Sequence, residues 1–226
     1  QELALLLTTG EQQTVSYLSM VLNDIGVNAK AMTGYQAGIK TVGHHLKSKI
    51  AEINPNIFNE AFKNHDILVV AGFQGINEDF ELTTLGRGGS DTTAVALAAS
   101  NQTPCEIYTD VDGVYATDPR ILNEAKRLEY VSYEEMMEMS ALGAGVLETR
   151  SVELAKNYDI PLYLGRTLSN VKGTWIMSKS DLLEKKAVTS VALDTHMMHV
   201  TISYPLPDNQ LLTQLFTALE EESVNV

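Results

Sequence analysis

Five consecutive apolar residues, Ile67-Leu68-Val69-Val70-Ala71, follow Asp66 and run into Gly72-Phe73-Gln74-Gly75. A continuous, β-branched run of this length suits a strand covered on both faces, and such strands belong to parallel sheets. Parallel neighbours need crossover connections, usually helices. The run therefore points toward an α/β arrangement. Residues 27–33, Glu106-Ile107-Tyr108, Pro161-Leu162-Tyr163-Leu164 and Gly173-Thr174-Trp175-Ile176 read as further strands. Residues 56–63, 92–100, 132–142 and 145–157 read as helices, with Ser132 and Glu135 in a capping-box pattern. The spacing of Leu3, Leu6, Leu7, Val15, Leu18, Val21 and Leu22 predicts two helices within 1–25, split at Thr8-Thr9-Gly10-Glu11 and ended by Gly26. Residues 34–47 read as a loop. Strands alternating with helices predict a three-layer sandwich with a mostly parallel sheet.

The stretch Thr83-Thr84-Leu85-Gly86-Arg87-Gly88-Gly89-Ser90-Asp91 enters the helix expected at 92. Its three glycines permit a sharp bend and a closer approach than any Cβ would allow. Ser90 and Asp91 stand where a helix cap belongs, beside outward-pointing amides that attract anions. Arg87 adds a planar fork suited to a carboxylate or phosphate. A cation and a carboxyl beside an anion cradle suit a zwitterion, such as a free amino acid, next to a phosphate. Read blandly, the same string is a tight strand-to-helix connection with a capping aspartate. Gly72-Phe73-Gln74-Gly75 is a second candidate by position, since ligands of open α/β sheets sit beyond the carboxyl ends of strands.

The 226 residues carry a net charge of −13, which argues against nucleic acid or an anionic membrane surface as partner. No apolar run approaches the roughly 18 residues a membrane span needs, and the amino terminus is not signal-like. The single cysteine, Cys105, cannot form an internal disulfide, and the cytoplasm is the expected compartment. His44 and His45 read as surface loop residues, because a metal site needs more ligands. Cys105 and the Met136, Met137, Met139 group read as core filling.

The string from Thr83 to Asp91 resembles the signature loop of the aspartate kinases, within the amino-acid kinase family. Thr9-Gly10-Glu11 resembles the family's Gly-Glu pair. Tyr108-Thr109-Asp110-Val111-Asp112-Gly113-Val114-Tyr115-Ala116-Thr117-Asp118-Pro119-Arg120 resembles its nucleotide-binding stretch. The resemblance implies transfer of the ATP γ-phosphoryl group to the side-chain carboxylate of aspartate, the first step of lysine, threonine and methionine biosynthesis. It implies that Arg87 clamps the substrate α-carboxylate and that Asp91 and Glu11 hold its ammonium. Arg87 and Asp91 would be the catalytic pair, with Phe73, Gly88, Gly89 and Ser90 completing the substrate site. Thr109, Asp110 and Tyr115 would line the adenosine pocket, Arg120 would approach the phosphates, and Mg²⁺ would bridge phosphate oxygens.

The family's opening Lys-Phe-Gly-Gly-Thr/Ser-Ser segment is not within the 226 residues. The expected partition is a catalytic domain over 1–177 without that phosphate-binding segment, a linker over 178–187, and a partial α+β ACT-like regulatory module over 188–226. That module is expected as strands at 188–193 and 199–203 and a helix from about 208 to 221. A plain extension packing on the core is the alternative. An amino-acid feedback effector (lysine or threonine) and a homodimer follow from the resemblance. Glu148-Thr149-Arg150 stands where many relatives have His-Pro-Arg, a change expected to lie clear of the substrate motifs. Gly145 occupies a position that is lysine in some relatives and glycine in others, and Leu206-Pro207-Asp208-Asn209-Gln210 lacks the glycine usual before an ACT helix. Two other functions stay open: a family member acting on glutamate, acetylglutamate or a nucleoside monophosphate, and a non-catalytic regulatory piece.

Overall fold

A computed structural model describes residues 1–143, 145–178, 188–193, 201 and 209–221. Residues 1–193 form one compact unit and 194–226 a second. The first opens with helix α1 (Glu2–Asp24), then β1 (Ala29–Met32), the hairpin β2 (Ile39–Val42) and β3 (Lys49–Ile53), and helix α2 (Pro55–Ala61). Next come β4 (Ile67–Val70), β5 (Gln74–Ile76), β6 (Leu82–Thr84), α3 (Gly89–Asn101) and β7 (Cys105–Thr109). β8 (Tyr130–Ser132), α4 (Tyr133–Ala141), α5 (Thr149–Asn157), β9 (Leu162–Arg166) and β10 (Thr174–Met177) complete it. In the second unit the described element is α6 (Asn209–Glu221), which carries Leu211, Leu212, Leu215, Phe216 and Leu219 at helical spacing.

The strands form three sheets in the orders β1-β4, β3-β2-β5-β6 and β7-β9-β10-β8. β1 and β4 run parallel, Ala29 opposite Ile67 and Met32 opposite Val70. β2–β5, β7–β9 and β8–β10 are also parallel, whereas β2–β3, β5–β6 and β9–β10 are antiparallel. The α/β class holds, with hairpins interleaved among the crossovers.

Two apolar clusters support these sheets, and α3 lies between them. Val95 and Ala98 join the larger cluster with Val131, Met136, Val152, Leu162, Leu164 and Ile176. Leu97, on another face of α3, packs against the smaller one, built from Met32, Ala37, Ile39 and Phe58. The glycine-rich turn that starts α3 thus stands where the two halves meet. Local sequence fixes the flanking ends: Asn54 caps α2 by accepting from the Asn56 amide, with Pro55 at the first position. Ser132 and Glu135 form the expected capping box of α4.

Several elements differ from expectation. α1 is one continuous helix, in which the Thr8 and Thr9 hydroxyls bond back to the carbonyls of Leu5 and Leu6 without breaking it. Its buried seam is Ala4, Thr8, Val15 and Ser19, while Leu3, Leu6, Leu7, Leu18 and Val21 are exposed. The strands β2 and β3 replace part of the loop expected over 34–47 and the stretch beyond it, and their half-polar alternation concealed them. β4 is less enclosed than its apolar run suggests, with Ile67 37% exposed. α5 starts at Thr149, four residues later than expected.

Residues 188–193, expected as a strand, have no regular secondary structure. They lie along the first unit, where the Thr189 hydroxyl donates to Glu135 Oε1 at 2.9 Å and the Val191 amide to the Ala116 carbonyl at 2.8 Å. All of the linker placed at 178–187 except Ser178 lies outside the described residues, as does all of the strand placed at 199–203 except Thr201.

Leu164 is fully buried in β9, the central strand linking β7 and β10. Leu164→Ala is expected to cost about 2–5 kcal/mol in denaturant unfolding. A loss below about 1 kcal/mol would show that the larger cluster is not the core of this unit.

Candidate active site

Backbone conformation dictates the glycine turn. Gly86 (φ 77°) and Gly88 (φ 63°) both adopt the left-handed region, with Arg87 between them. Only glycine enters that region without strain. Gly88, and not Ser90 or Asp91, is the N-cap of α3, which therefore begins three residues before the expected start. The Gly89 amide bonds to the Gly86 carbonyl and the Thr92 amide to Gly88. Among the described residues this leaves the Ser90 and Asp91 amides at the open end of the helix, the positive end of its dipole.

The Gly72-Phe73 corner closes on this turn. Phe73, a non-glycine residue at φ 68°, donates its amide to the Thr93 hydroxyl at 3.0 Å and accepts from the Leu85 amide at 2.9 Å. A Cβ at Gly72 would lie 3.3 Å from Ser90 Cα, and one at Gly89 would lie 2.8 Å from Phe73 Cδ2. The two loops placed in the substrate site by sequence are therefore packed against each other. A left-handed phenylalanine is a strained conformation of the sort that gathers at functional sites.

The turn rests on a buried hydroxyl network. The Thr41 and Thr83 hydroxyls meet at 2.6 Å, and Ser48 Oγ donates to Thr83 Oγ1 (3.1 Å) and the Thr84 carbonyl (2.9 Å). Thr41, Ser48, Thr83 and Thr84 are all buried. The threonines of the motif thus fasten β6 to the β2–β3 hairpin, where their hydroxyls find partners away from water.

Arg87 is exposed, Ser90 is exposed, and Asp91 is half-buried. Burial pushes the Asp91 carboxyl above its ordinary range, and the negative charge of Glu148 pushes it further. Glu148 is a neighbour that sequence reasoning set aside. It caps the backbone of α5 without a side-chain capping bond, and a Cβ at Gly88 would collide with its Cβ and Cγ. The position expected to lie clear of the substrate motifs therefore touches one of them. Two residues on, Arg150 donates to the Leu85 carbonyl at 3.0 Å and the Ser48 carbonyl at 3.1 Å. The sequence marked this triplet only as a departure from its relatives and gave no sign of the contact, since more than 55 positions separate Glu148 from the turn it meets.

Glu11 is half-buried on α1, and its neighbour Gln12 donates to Gln74 Oε1 at 3.2 Å, just after Phe73. The nucleotide-stretch residues form a separate group. The Thr109 hydroxyl, at the end of β7, donates to Asp110 Oδ1 at 3.0 Å, and Tyr115 bridges to Arg127. Arg127 donates to the Gly173 carbonyl, and Gly113 takes φ 144° where a side chain would strike Thr174. Arg120 is exposed and grips Asp118, holding that carboxyl below its usual range. Among the described residues, no hydrogen bond or ion pair joins this group to Arg87.

His45 pairs with Glu81 at 2.7 Å, and no group of three or more His, Cys, Asp or Glu among the described residues could hold a metal by itself. Cys105 is buried, its thiol pushed up to about 11 chiefly by burial. Among the described residues no helix is long and apolar enough to cross a membrane.

The chain belongs to the amino acid kinase family, which residues 1–166 match. Within that family it is similar to aspartokinases. It is 45% identical to Aspartokinase 2 of Bacillus subtilis, over all of this chain and 56% of that protein, and 42% identical to the aspartokinase of Corynebacterium glutamicum, over all of this chain and 55% of that one. The chain spans about half the length of these curated relatives. Among solved structures it is similar to E. coli aspartokinase III in complex with aspartate and ADP, in the R-state, with a TM-score of 0.79 and 25% identity over 99% of this chain and 51% of that one. It is also similar to the aspartate kinase of Synechocystis, with a TM-score of 0.66 and 40% identity over 84% of this chain and 30% of that one.

The raised Asp91 carboxyl gives a signed expectation. The native state holds this proton more tightly than the unfolded chain, so ionising it costs stability as pH rises above the ordinary aspartate value of 3.8. Asp91→Asn should therefore melt about 1–2 °C higher than the parent at neutral pH, the small size reflecting partial solvation. The gain should vanish below the ordinary aspartate value, where both states of the parent are protonated. A variant that melts lower at neutral pH would contradict the assignment.

Proposed function

We propose that this chain is the greater part of the catalytic domain of an aspartate kinase, which transfers the ATP γ-phosphoryl group to the β-carboxylate of aspartate. The observation that carries the proposal is the similarity to aspartokinases along the entire chain, at 42–45% identity. A carboxylate is already a nucleophile at neutral pH, so no general base is needed. Its oxygen bonds to the γ-phosphorus as the bond to the β–γ bridging oxygen breaks, giving the acyl phosphate and ADP.

In this mechanism Arg87 binds the α-carboxylate through its fork, and Asp91 and Glu11 bind the ammonium, which separates amino acids from simple diacids. A bound ammonium would also favour the ionised Asp91 that burial and Glu148 disfavour. The Ser90 and Asp91 amides face developing negative charge, a task suited to a helix start. Thr109, Asp110 and Tyr115 hold the adenosine, and Arg120 leaves Asp118 for phosphate. Magnesium carried on nucleotide phosphates needs only one or two carboxylates from protein, and with Asp91 engaged by the ammonium, Glu148 would supply that donor chemistry. Bound, it neutralises phosphate charge.

The proposal extends to regulation and assembly. E. coli aspartokinase III has also been solved with lysine and aspartate, in the T-state. A lysine or threonine effector, an ACT-like module over 188–226, a homodimer and a cytoplasmic setting all fit this assignment.

In the full-length protein, Arg87→Ala should reduce kcat/KM for aspartate at least about 100-fold; near-normal turnover would remove the clamp role. Asp110→Ala should raise the KM for ATP more than that for aspartate, and the reverse pattern would move the nucleotide site elsewhere.

A further inference from the structure

Arg87 sits between two left-handed glycines, so its direction depends on what holds the chain on either side. The first turn of α5 does this on both flanks. Upstream, Arg150 Nη1 donates to the Leu85 carbonyl, while Nη2 donates to the Ser48 carbonyl. Downstream, the methylenes of Glu148 fill the space over Gly88 that a side chain would need. Leu85 is itself buried, and its amide is held by the Phe73 carbonyl. Ser48 is buried, with its amide and hydroxyl both on the Thr84 carbonyl. One guanidinium therefore ties the residue before the turn to the end of the β2–β3 connection, which the threonine network already grips.

The location of this arginine is uphill in one respect. It lies in the first turn of α5, where the helix dipole disfavours a cation. A neutral donor would serve helix stability better. What a guanidinium supplies is two diverging donor ends on one rigid plane, able to span two carbonyls from different segments. Lysine offers one point of attachment and could hold only one carbonyl at a time.

We propose that Arg150 is a positioning residue for amino-acid binding: through Leu85 and Ser48 it fixes the entry to the glycine turn and thereby the direction of Arg87. The proposal rests on the assignment of the turn to the amino-acid substrate. Because a shift of about 1 Å in a positioned group can cost up to about 100-fold, loss of the anchor is felt in substrate binding with Arg87 itself intact.

The test compares the full-length parent with Arg150→Ala and Arg150→Lys, using aspartate and ATP kinetics together with amide hydrogen exchange. Arg150→Ala should raise the KM for aspartate about tenfold or more and leave the KM for ATP within about twofold. Arg150→Lys should fall between. Exchange should quicken at Leu85 and Gly89, the hydrogen-bonded amides of the turn, and stay unchanged in β9, which a general loss of stability could not produce. An unchanged aspartate KM with unchanged exchange at the turn would overturn the proposal. So would faster exchange spread through β9, which would make Arg150 merely structural. If the parent transfers no phosphoryl group to aspartate, the functional assignment falls, and the exchange pattern alone then decides whether Arg150 anchors the turn.

Discussion

The packing of the Gly72-Phe73 corner against the Gly86–Ser90 turn is the constraint on which the rest of the site depends. The corner ends β4 and the turn begins α3, so their contact joins a strand of one half to the helix that both apolar clusters share. The contact leaves no room for side chains at Gly72 or Gly89, and Phe73 occupies a left-handed conformation to keep it. A strained phenylalanine persists only where its surroundings over-determine it. Here they do, through the Thr93 hydroxyl on its amide and the Leu85 amide on its carbonyl.

Beneath that contact, polar groups do work that apolar packing could not. Buried hydroxyls on Thr41, Ser48 and Thr83 satisfy one another and fasten β6 to the hairpin across the intervening β5. An apolar substitution there would preserve volume but lose direction, because dispersion forces are not directional and hydrogen bonds are. Above it, Asp91 is held half-buried beside Glu148, a placement that opposes its ionisation. Proteins keep such unfavourable placements where function rather than stability selects them.

Much of the fold was legible because its signals are local. The apolar run at Ile67 identified β4, and Ser132 with Glu135 identified the start of α4. The Thr83–Asp91 string located the turn, and the comparisons place the chain in the family that string suggested. What escaped were features set by partners distant in sequence. The buried face of α1, a helix that packs against β1 and β6, is lined by Ala4, Thr8 and Ser19, although the leucines carry the stronger periodic signal. β2 and β3 are short strands whose ladder, including an irregularity between Lys40 and Thr41, decides their conformation. Glu148 and Arg150 reach the turn only through the folded packing of α5 on α3. Single-residue spacing carries no trace of such contacts.

In the proposed reaction a guanidinium and a carboxyl, set by this turn, receive a free amino acid beside a nucleotide. A crystal structure of the full-length protein with aspartate and a non-hydrolysable ATP analogue tests it most directly. The account predicts the aspartate α-carboxylate in bidentate contact with Arg87, its ammonium on Asp91, and its β-carboxylate turned toward the γ-phosphate. An amino acid bound away from the Gly86–Ser90 turn, with Arg87 left in solvent, would contradict it.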